Sequence, residues 1–324
     1  DSIQNQLGWL YEYFRKVIEL IDSLLLGAIR AGTPLMLIGI GVLINEKSGM
    51  LNLGQEGMIM TGAITAFACS IGLGQTWLSL AVAATAGAMM GFLFASIVLV
   101  FRTNQVATGL ALTLFGTGLA AYIGAPFTGE SIEGVTNTPL PLLSQIPLVG
   151  KALFSQDYLV YFSLTLFLCT WFILYKTRIG LILEAVGHSP MAAHRLGYPV
   201  NSVRLISTMI GGAFAGCAGA YLSLAYTPIW SENMSAGRGW IGLALVVLAG
   251  WKVPWVVFGA YLFGFVTIIP LGAQAVGYGL PSDLMAMSPY IATILALLVI
   301  GSSSDHLRSL PPTSLGKNFE RGES

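Results

Sequence analysis

Asn52, Gln55 and Glu56 stand between two long apolar runs, in the stretch SGMLNLGQEGM at 48–58. Two amides and a carboxyl group at that spacing can cap a helix, line a gate or hydrogen-bond a polar solute. Asn52, with Gln55 three residues on, has capping-box spacing in its Asn/Gln form. Glu56 then falls in the first turn, where the helix dipole favours a negative charge. Asn52 and Glu56, four apart, would share one helix face. A second polar turn, RTNQVATGL at 102–110, places Asn104 to cap the helix that follows, and Asn104 and Gln105 to line the same gate.

A third stretch, RIGLILEAVGHSPMAAHRLGYPV at 178–200, contains a complete short helix. Ser189 is a good N-cap, Pro190 sits at the first helical position, and Gly197 is the expected stop, with Pro199 behind it. A helix this short is marginal in isolation. It either connects two spans across a surface or is stabilised by docking into a groove on another protein. In the fourth, YTPIWSENMSAGRGW at 226–240, Trp230 and Trp240 are expected as interfacial anchors. Glu232 and Arg238 either pair with each other or meet an external protein. Arg238 near a helix start opposes the dipole and calls for an anionic partner. Arg30, about two turns into the first apolar run, either snorkels to an interface or marks a functional site.

Other chemistry is missing from the sequence. There is no phosphate-binding G-x-x-x-x-G-K-[ST] loop, so ATP is not hydrolysed by this chain. No metal-ligand spacing occurs among His188, His194 and His306, and an intramembrane enzyme would need an activated nucleophile or a metal. Cys69, Cys169 and Cys217 lie unpaired in apolar runs and read as small buried hydrophobes. Cofactors are therefore expected to be absent from the chain.

The elements that position these residues follow from composition. Of 324 residues, 55% are hydrophobic and 9% charged, and net charge is zero; soluble domains carry about 25% charged residues. The chain is expected to be all-α, a polytopic membrane protein. A bilayer admits only helices and closed barrels, and the apolar runs lack period-two alternation. Spans are expected at 22–44, 53–74, 77–101, 105–124, 156–176, 203–226, 239–251, 254–272 and 288–301: about nine transmembrane helices, within a range of roughly eight to ten. Residues 1–20 read as an interfacial amphipathic segment, 21–302 as the membrane domain with a loop at 177–202, and 303–324 as a poorly ordered tail. Lys47, Arg102, Lys176, Arg178, Arg195, Arg204 and Lys252 fall on one threaded side, which is read as cytoplasmic together with the C-terminus. Gly212 and Gly216 form a G-x-x-x-G pair for close helix packing. Zero net charge leaves no nucleic-acid footprint.

Three blocks carry a resemblance. EAVGHSPMAAHRLG resembles the coupling-loop motif of ABC importer permeases. NEKSGMLNLGQEGMIMTGA and MSAGRGWIGLALVVLAGWKVP resemble blocks of the bacterial nucleoside-type permeases, within the superfamily of branched-chain amino acid and simple-sugar permeases. The resemblance implies the type II importer fold, with about ten helices. It assigns Glu184, Ala185, Gly187, His188, Ser189, Pro190, Met191, His194, Arg195 and Gly197 to contact with an ATPase subunit, which would carry the ATP and Mg. It places Asn52, Gln55, Glu56, Asn104 and Gln105 at the gate of the path, and Trp230, Glu232 and Arg238 toward an extracytoplasmic substrate-binding lipoprotein of the basic-membrane-protein type. It further implies a second permease subunit, a related chain, and a place in the bacterial inner membrane. The expected cargo is a nucleoside-like solute. A simple sugar, a branched-chain amino acid, or an ion-coupled carrier or channel activity are the alternatives.

Overall fold

Lipid offers backbone amides and carbonyls no partner, so each apolar run closes its own hydrogen bonds as a helix. The computed structural model describes residues 2–139, 150–275 and 311–319, with positions 281, 287, 291, 292, 294 and 295. Its helices are α1 (Ser2–Lys47), α2 (Gln55–Leu73), α3 (Thr76–Phe101), α4 (Gln105–Gly124), α5 (Gly150–Phe154), α6 (Tyr158–Lys176), α7 (Arg178–His188), α8 (Pro190–Arg195), α9 (Val200–Tyr221), α10 (Arg238–Leu248) and α11 (Val253–Ala275). Among the described residues, seven helices are long and apolar enough to cross a membrane.

Two expectations change at this level, and a third falls outside the described residues. The segment 1–20 is not a separate piece: α1 runs unbroken from Ser2 to Lys47. Pro34 lies within it without ending it. The run 239–251 is not a full span either, since α10 has 11 residues, about 16 Å at 1.5 Å per residue. The span expected at 288–301 lies largely outside the described residues.

The ends of α1, α3 and α6 gather with the starts of α4, α9 and α11 at the end of the bundle that carries α7 and α8. Lys47 Nζ lies 3.9 Å from Glu184, Asn318 binds the carbonyls of Arg102 and Thr103, and the Tyr175 hydroxyl accepts from Val253 N. This is called the α8 end below. Helices α1 and α9 form the centre: 83% and 72% of their most apolar windows are buried, against 22% in the span that includes α4.

Glycines set the tightest contacts, as the G-x-x-x-G pair led us to expect. A methyl group on Gly212 would strike the carbonyl of Gly87, and one on Gly216 the carbonyl of Ala83, so α3 and α9 touch backbone to backbone. Dispersion across such faces supplies the association that lipid does not drive.

At the opposite end a buried polar cluster closes the bundle. Asp157 caps α6 by accepting from Val160 N at 3.0 Å, accepts from the Tyr221 hydroxyl at 3.1 Å, and lies 3.8 Å from Arg30. Arg30 also donates to Asn137. The arginine is thus tied across α1, the start of α6 and the 131–138 segment. Burial pushes the Asp157 carboxyl above its ordinary value, against the pull of the Val160 amide, Arg30 and Tyr221. The 131–138 segment pairs with the chain leaving α9, Ile132 N to Pro228 O at 3.1 Å and Val135 N to Leu224 O at 3.2 Å.

Candidate functional site

Residues 48–54 begin at the α8 end but do not stay there. They turn on Gly49, whose φ of 87° is left-handed, and run inward before α2 begins. Gly54, not Asn52, occupies the N-cap, with no side-chain cap bond. Asn52 Oδ1 accepts from Gly54 N at 2.8 Å, a tight turn ahead of the helix. The expected capping box is absent, and Asn52 and Glu56 do not share a helix face, because Asn52 is outside the helix.

Glu56 caps a different helix. Its Oε1 accepts from the Ser235 hydroxyl at 2.5 Å and Gly237 N at 2.8 Å, and its Oε2 from Gly239 N at 2.7 Å. These donors belong to the N-terminus of α10, where orphan amides and the positive dipole end favour an acidic side chain. Glycine is needed at both amide positions: Gly237 has φ 78°, and a methyl on Gly239 would lie 2.6 Å from Glu56 Oε2.

The depth of this junction follows from its neighbours. Gly57 packs against Gly116, eleven residues beyond the first residue of α4, Gln105. Eleven residues rise about 16 Å. Gly242 of α10 meets Ile38, nine residues before Lys47, or about 13 Å from that end, with Gly239 deeper still. Glu56 therefore lies about half-way through a core of about 30 Å. Charge patterning had placed it at the cytoplasmic end of a span; the inward course of 48–54 carries it deeper.

The segment 227–237 reaches the same depth from the other end, after a π-turn at Leu222–Tyr226 that widens the last turn of α9. Trp230 is 2% exposed and packs with Met60, Phe67 and Ala120. It is a core anchor for the descending chain, not the interfacial anchor expected. Trp240 is 40% exposed. Ser231, Glu232 and Asn233 are exposed. Arg238 does not pair with Glu232: it donates to the carbonyls of Met234 at 3.3 Å and Ser235 at 3.0 Å and stacks over the Tyr226 ring.

At the α8 end the local reading holds. Ser189 Oγ accepts from Ala192 N at 3.4 Å, Pro190 opens α8, and Gly197 ends it with φ 90°. Asn104 caps α4 by accepting from Ala107 N at 3.0 Å. Gln105, 2% exposed, accepts from Leu51 N at 2.7 Å and so joins the two polar turns. Gln55 is fully buried, and its side-chain nitrogen and oxygen have no hydrogen-bond partner among the described residues. Ala185 accepts from Ser189 N at 2.9 Å, and Gly187 packs directly on the Lys47 carbonyl. Met191 is half-buried, Arg195 exposed, and His194 stacks on Phe319.

Several residues were missed. Ser235, Gly237 and Gly239 carry no signal until Glu56 is known to reach them. Arg204, fully buried, donates to Ser48 O at 3.2 Å, Lys317 O at 2.9 Å and Ser314 Oγ at 2.9 Å. An arginine one turn into an apolar helix was its signal. Helix α7 was read as loop, although Ile179, Leu183 and Val186 have helical spacing.

With this geometry in view, sequence comparison settles the family. The profile of the branched-chain amino acid transport system / permease component family matches residues 24–301. The chain belongs to this family. It is 35% identical over 321 residues to a putative glucose ABC transporter permease of Haloferax volcanii, covering 92% of this chain and 98% of that protein. It is 31% identical over 300 residues to a guanosine ABC transporter permease of Bacillus subtilis, covering 87% and 92%. A nucleoside ABC transporter permease of Lactococcus lactis is 29% identical over 317 residues, covering 94% and 98%. The chain is a multi-pass permease subunit of an ABC importer, and its broken helix, α10, is to be understood in a transport protein.

Proposed function

We propose that this permease passes a nucleoside-like solute along the surface formed by the 231–233 segment and α10, by alternating access. One observation carries the proposal. Non-helical backbone is exposed half-way along the spans at Ala236, between Ser235 and Gly237, which both donate to Glu56, and Ser231, Glu232 and Asn233 lead down to it. At membrane depth such backbone is tolerated only where protein buries it or a water-filled cavity faces it, and discontinuous helices at the midplane are where transporters build substrate sites. Ser231, Glu232 and Asn233 offer a hydroxyl, a carboxyl and an amide suited to ribose hydroxyls, with Trp240 a flat face for a base.

The driving force comes from a separate ATPase subunit that binds ATP and Mg and docks on α7 and α8. Leu196 and Tyr198, 76% and 38% exposed at the end of α8, give that dock an apolar contact. The α8 end faces the cytoplasm in this account. Lys47, Arg102, Lys176, Arg178, Arg195 and Lys252 gather there, as the positive-inside rule asks. The C-terminus is then cytoplasmic and the membrane a bacterial inner membrane. A second, related permease subunit completes the path, and an extracytoplasmic lipoprotein delivers the solute. The glucose permease relative favours a simple sugar as the second reading.

The test is uptake of labelled guanosine by proteoliposomes that hold both permease subunits and the ATPase and are supplied with the delivery lipoprotein, with unlabelled glucose as competitor. The account predicts ATP-dependent uptake that glucose leaves unchanged. Glucose competition would reassign the solute, and uptake surviving removal of the ATPase phosphate-loop lysine would refute the importer reading.

A further inference from the structure

Residues 311–319 lie in a tail expected to be poorly ordered, yet they follow a defined path across the α8 end. Pro312 and Ser314 are buried. Ser314 binds Gly187 twice, its amide to Gly187 O at 3.1 Å and its hydroxyl to the same oxygen at 2.7 Å. The Thr313 hydroxyl donates to His188 O at 2.8 Å, and Phe319 packs on His194. These contacts hold the end of α7 and the flank of α8.

The same nine residues also grip both polar turns. Gly316 N donates to Gly49 O at 3.2 Å. Asn318 Nδ2 donates to Arg102 O at 2.9 Å and Thr103 O at 3.1 Å, and its Oδ1 accepts from Gln105 at 3.4 Å. Arg204 lies beneath the segment and joins Ser48, Ser314 and Lys317. A side chain on Gly49 would meet both the Ser314 hydroxyl and the Arg204 guanidinium, so the turn and the segment fit without slack. A cleft of about 250 Å³ remains between Ser189 and Met191 on one wall and Thr313, Lys317 and Phe319 on the other.

We infer that residues 311–319 form a strap that is part of the coupling apparatus: it completes the docking surface beside α8 and carries displacement of α8 to the turns at 48–51 and 102–105. Hydrogen bonds hold it at both ends, buried ones at Ser314 and part-buried or exposed ones at Asn318, so motion of α7 and α8 cannot occur without moving the strap or breaking several of them. The turn at 48–51 leads directly into Glu56 and the start of α10, and the strap thereby reaches the proposed path. A partner ATPase seated on α8 would touch Thr313 and Lys317, both exposed at the rim of the cleft.

This inference rests on the importer reading, and the test separates the two. The chain truncated after Leu310 and the milder Asn318→Ala variant are each assembled with the second permease and ATPase subunits in proteoliposomes supplied with the delivery lipoprotein and labelled guanosine. Uptake and ATP hydrolysis are measured together. The expected result is a complex that still assembles and hydrolyses ATP, with solute moved per ATP reduced about tenfold in the truncated chain, the size of a typical coupling between sites, and less in Asn318→Ala. A transporting parent whose truncated form moves as much solute per ATP overturns the strap and leaves the importer reading intact. Loss of assembly in the truncated chain together with unchanged coupling in Asn318→Ala also overturns it, since the segment then serves only to build the complex. A parent without ATP-driven uptake refutes both.

Discussion

Replacing Glu56 with Gln keeps one acceptor oxygen and turns the other into an amide donor. That donor then faces an N–H or the Ser235 hydroxyl, since the carboxyl group accepts from three donors on its two oxygens. The expected cost is about 1–3 kcal/mol, the penalty for a buried donor without its acceptor. Glu56→Gln should lower the melting temperature of the purified protein and reduce uptake while leaving membrane insertion normal; Ser235→Ala, which removes one donor, should lower it less. Unchanged melting in both would remove Glu56 from the account. At this scale the sequence was legible where chemistry is local. Ser189, Pro190, Gly197 and Asn104 do what their neighbours in the chain predict. Glu56 could not be assigned that way, because its partners lie 179 to 183 residues further on. Periodicity and capping rules see only one helix, so they credited its charge to α2.

Among the elements, α9 depends most on the absence of side chains. Gly212→Leu would drive a bulky group into the carbonyl of Gly87, at a contact with no flexible atom to yield. Overpacking typically costs about 1–3 kcal/mol, and a backbone obstacle puts this site at the upper end. The expected outcome is a sharply reduced yield of folded, monodisperse protein, with Gly118→Leu, which meets nothing within 4 Å, as the tolerated control. Equal yields would count against the packing. The long helices were legible because length and apolarity suffice to mark them. The half-helix α10 was not, since the apolar run 239–251 looks like a span and its true length depends on the inward course of 227–237. The order of 311–319 was equally hidden: a Ser/Pro-rich composition says nothing of a docking surface formed by three distant turns.

For the whole molecule, two re-entrant segments converge half-way along a bundle of long helices. Gly49 and the Asn52 turn bring one segment in from the α8 end; Trp230, packed under α2 and α4, holds the other as it descends. Fold class and family were legible in composition and in three sequence blocks. The depth of the site was not, because it arises from where the helices stop. The central claim is that the exposed residues leading down to that depth line an aqueous path. It is tested most directly by Ser231→Cys, a near-isosteric change, in a chain with Cys69, Cys169 and Cys217 replaced. Labelling by a charged, membrane-impermeant thiol reagent is followed in the assembled complex. The account predicts labelling that the transported solute slows and that changes when ATP is added. An introduced thiol inert to the aqueous reagent yet modified by a lipid-soluble one would contradict it.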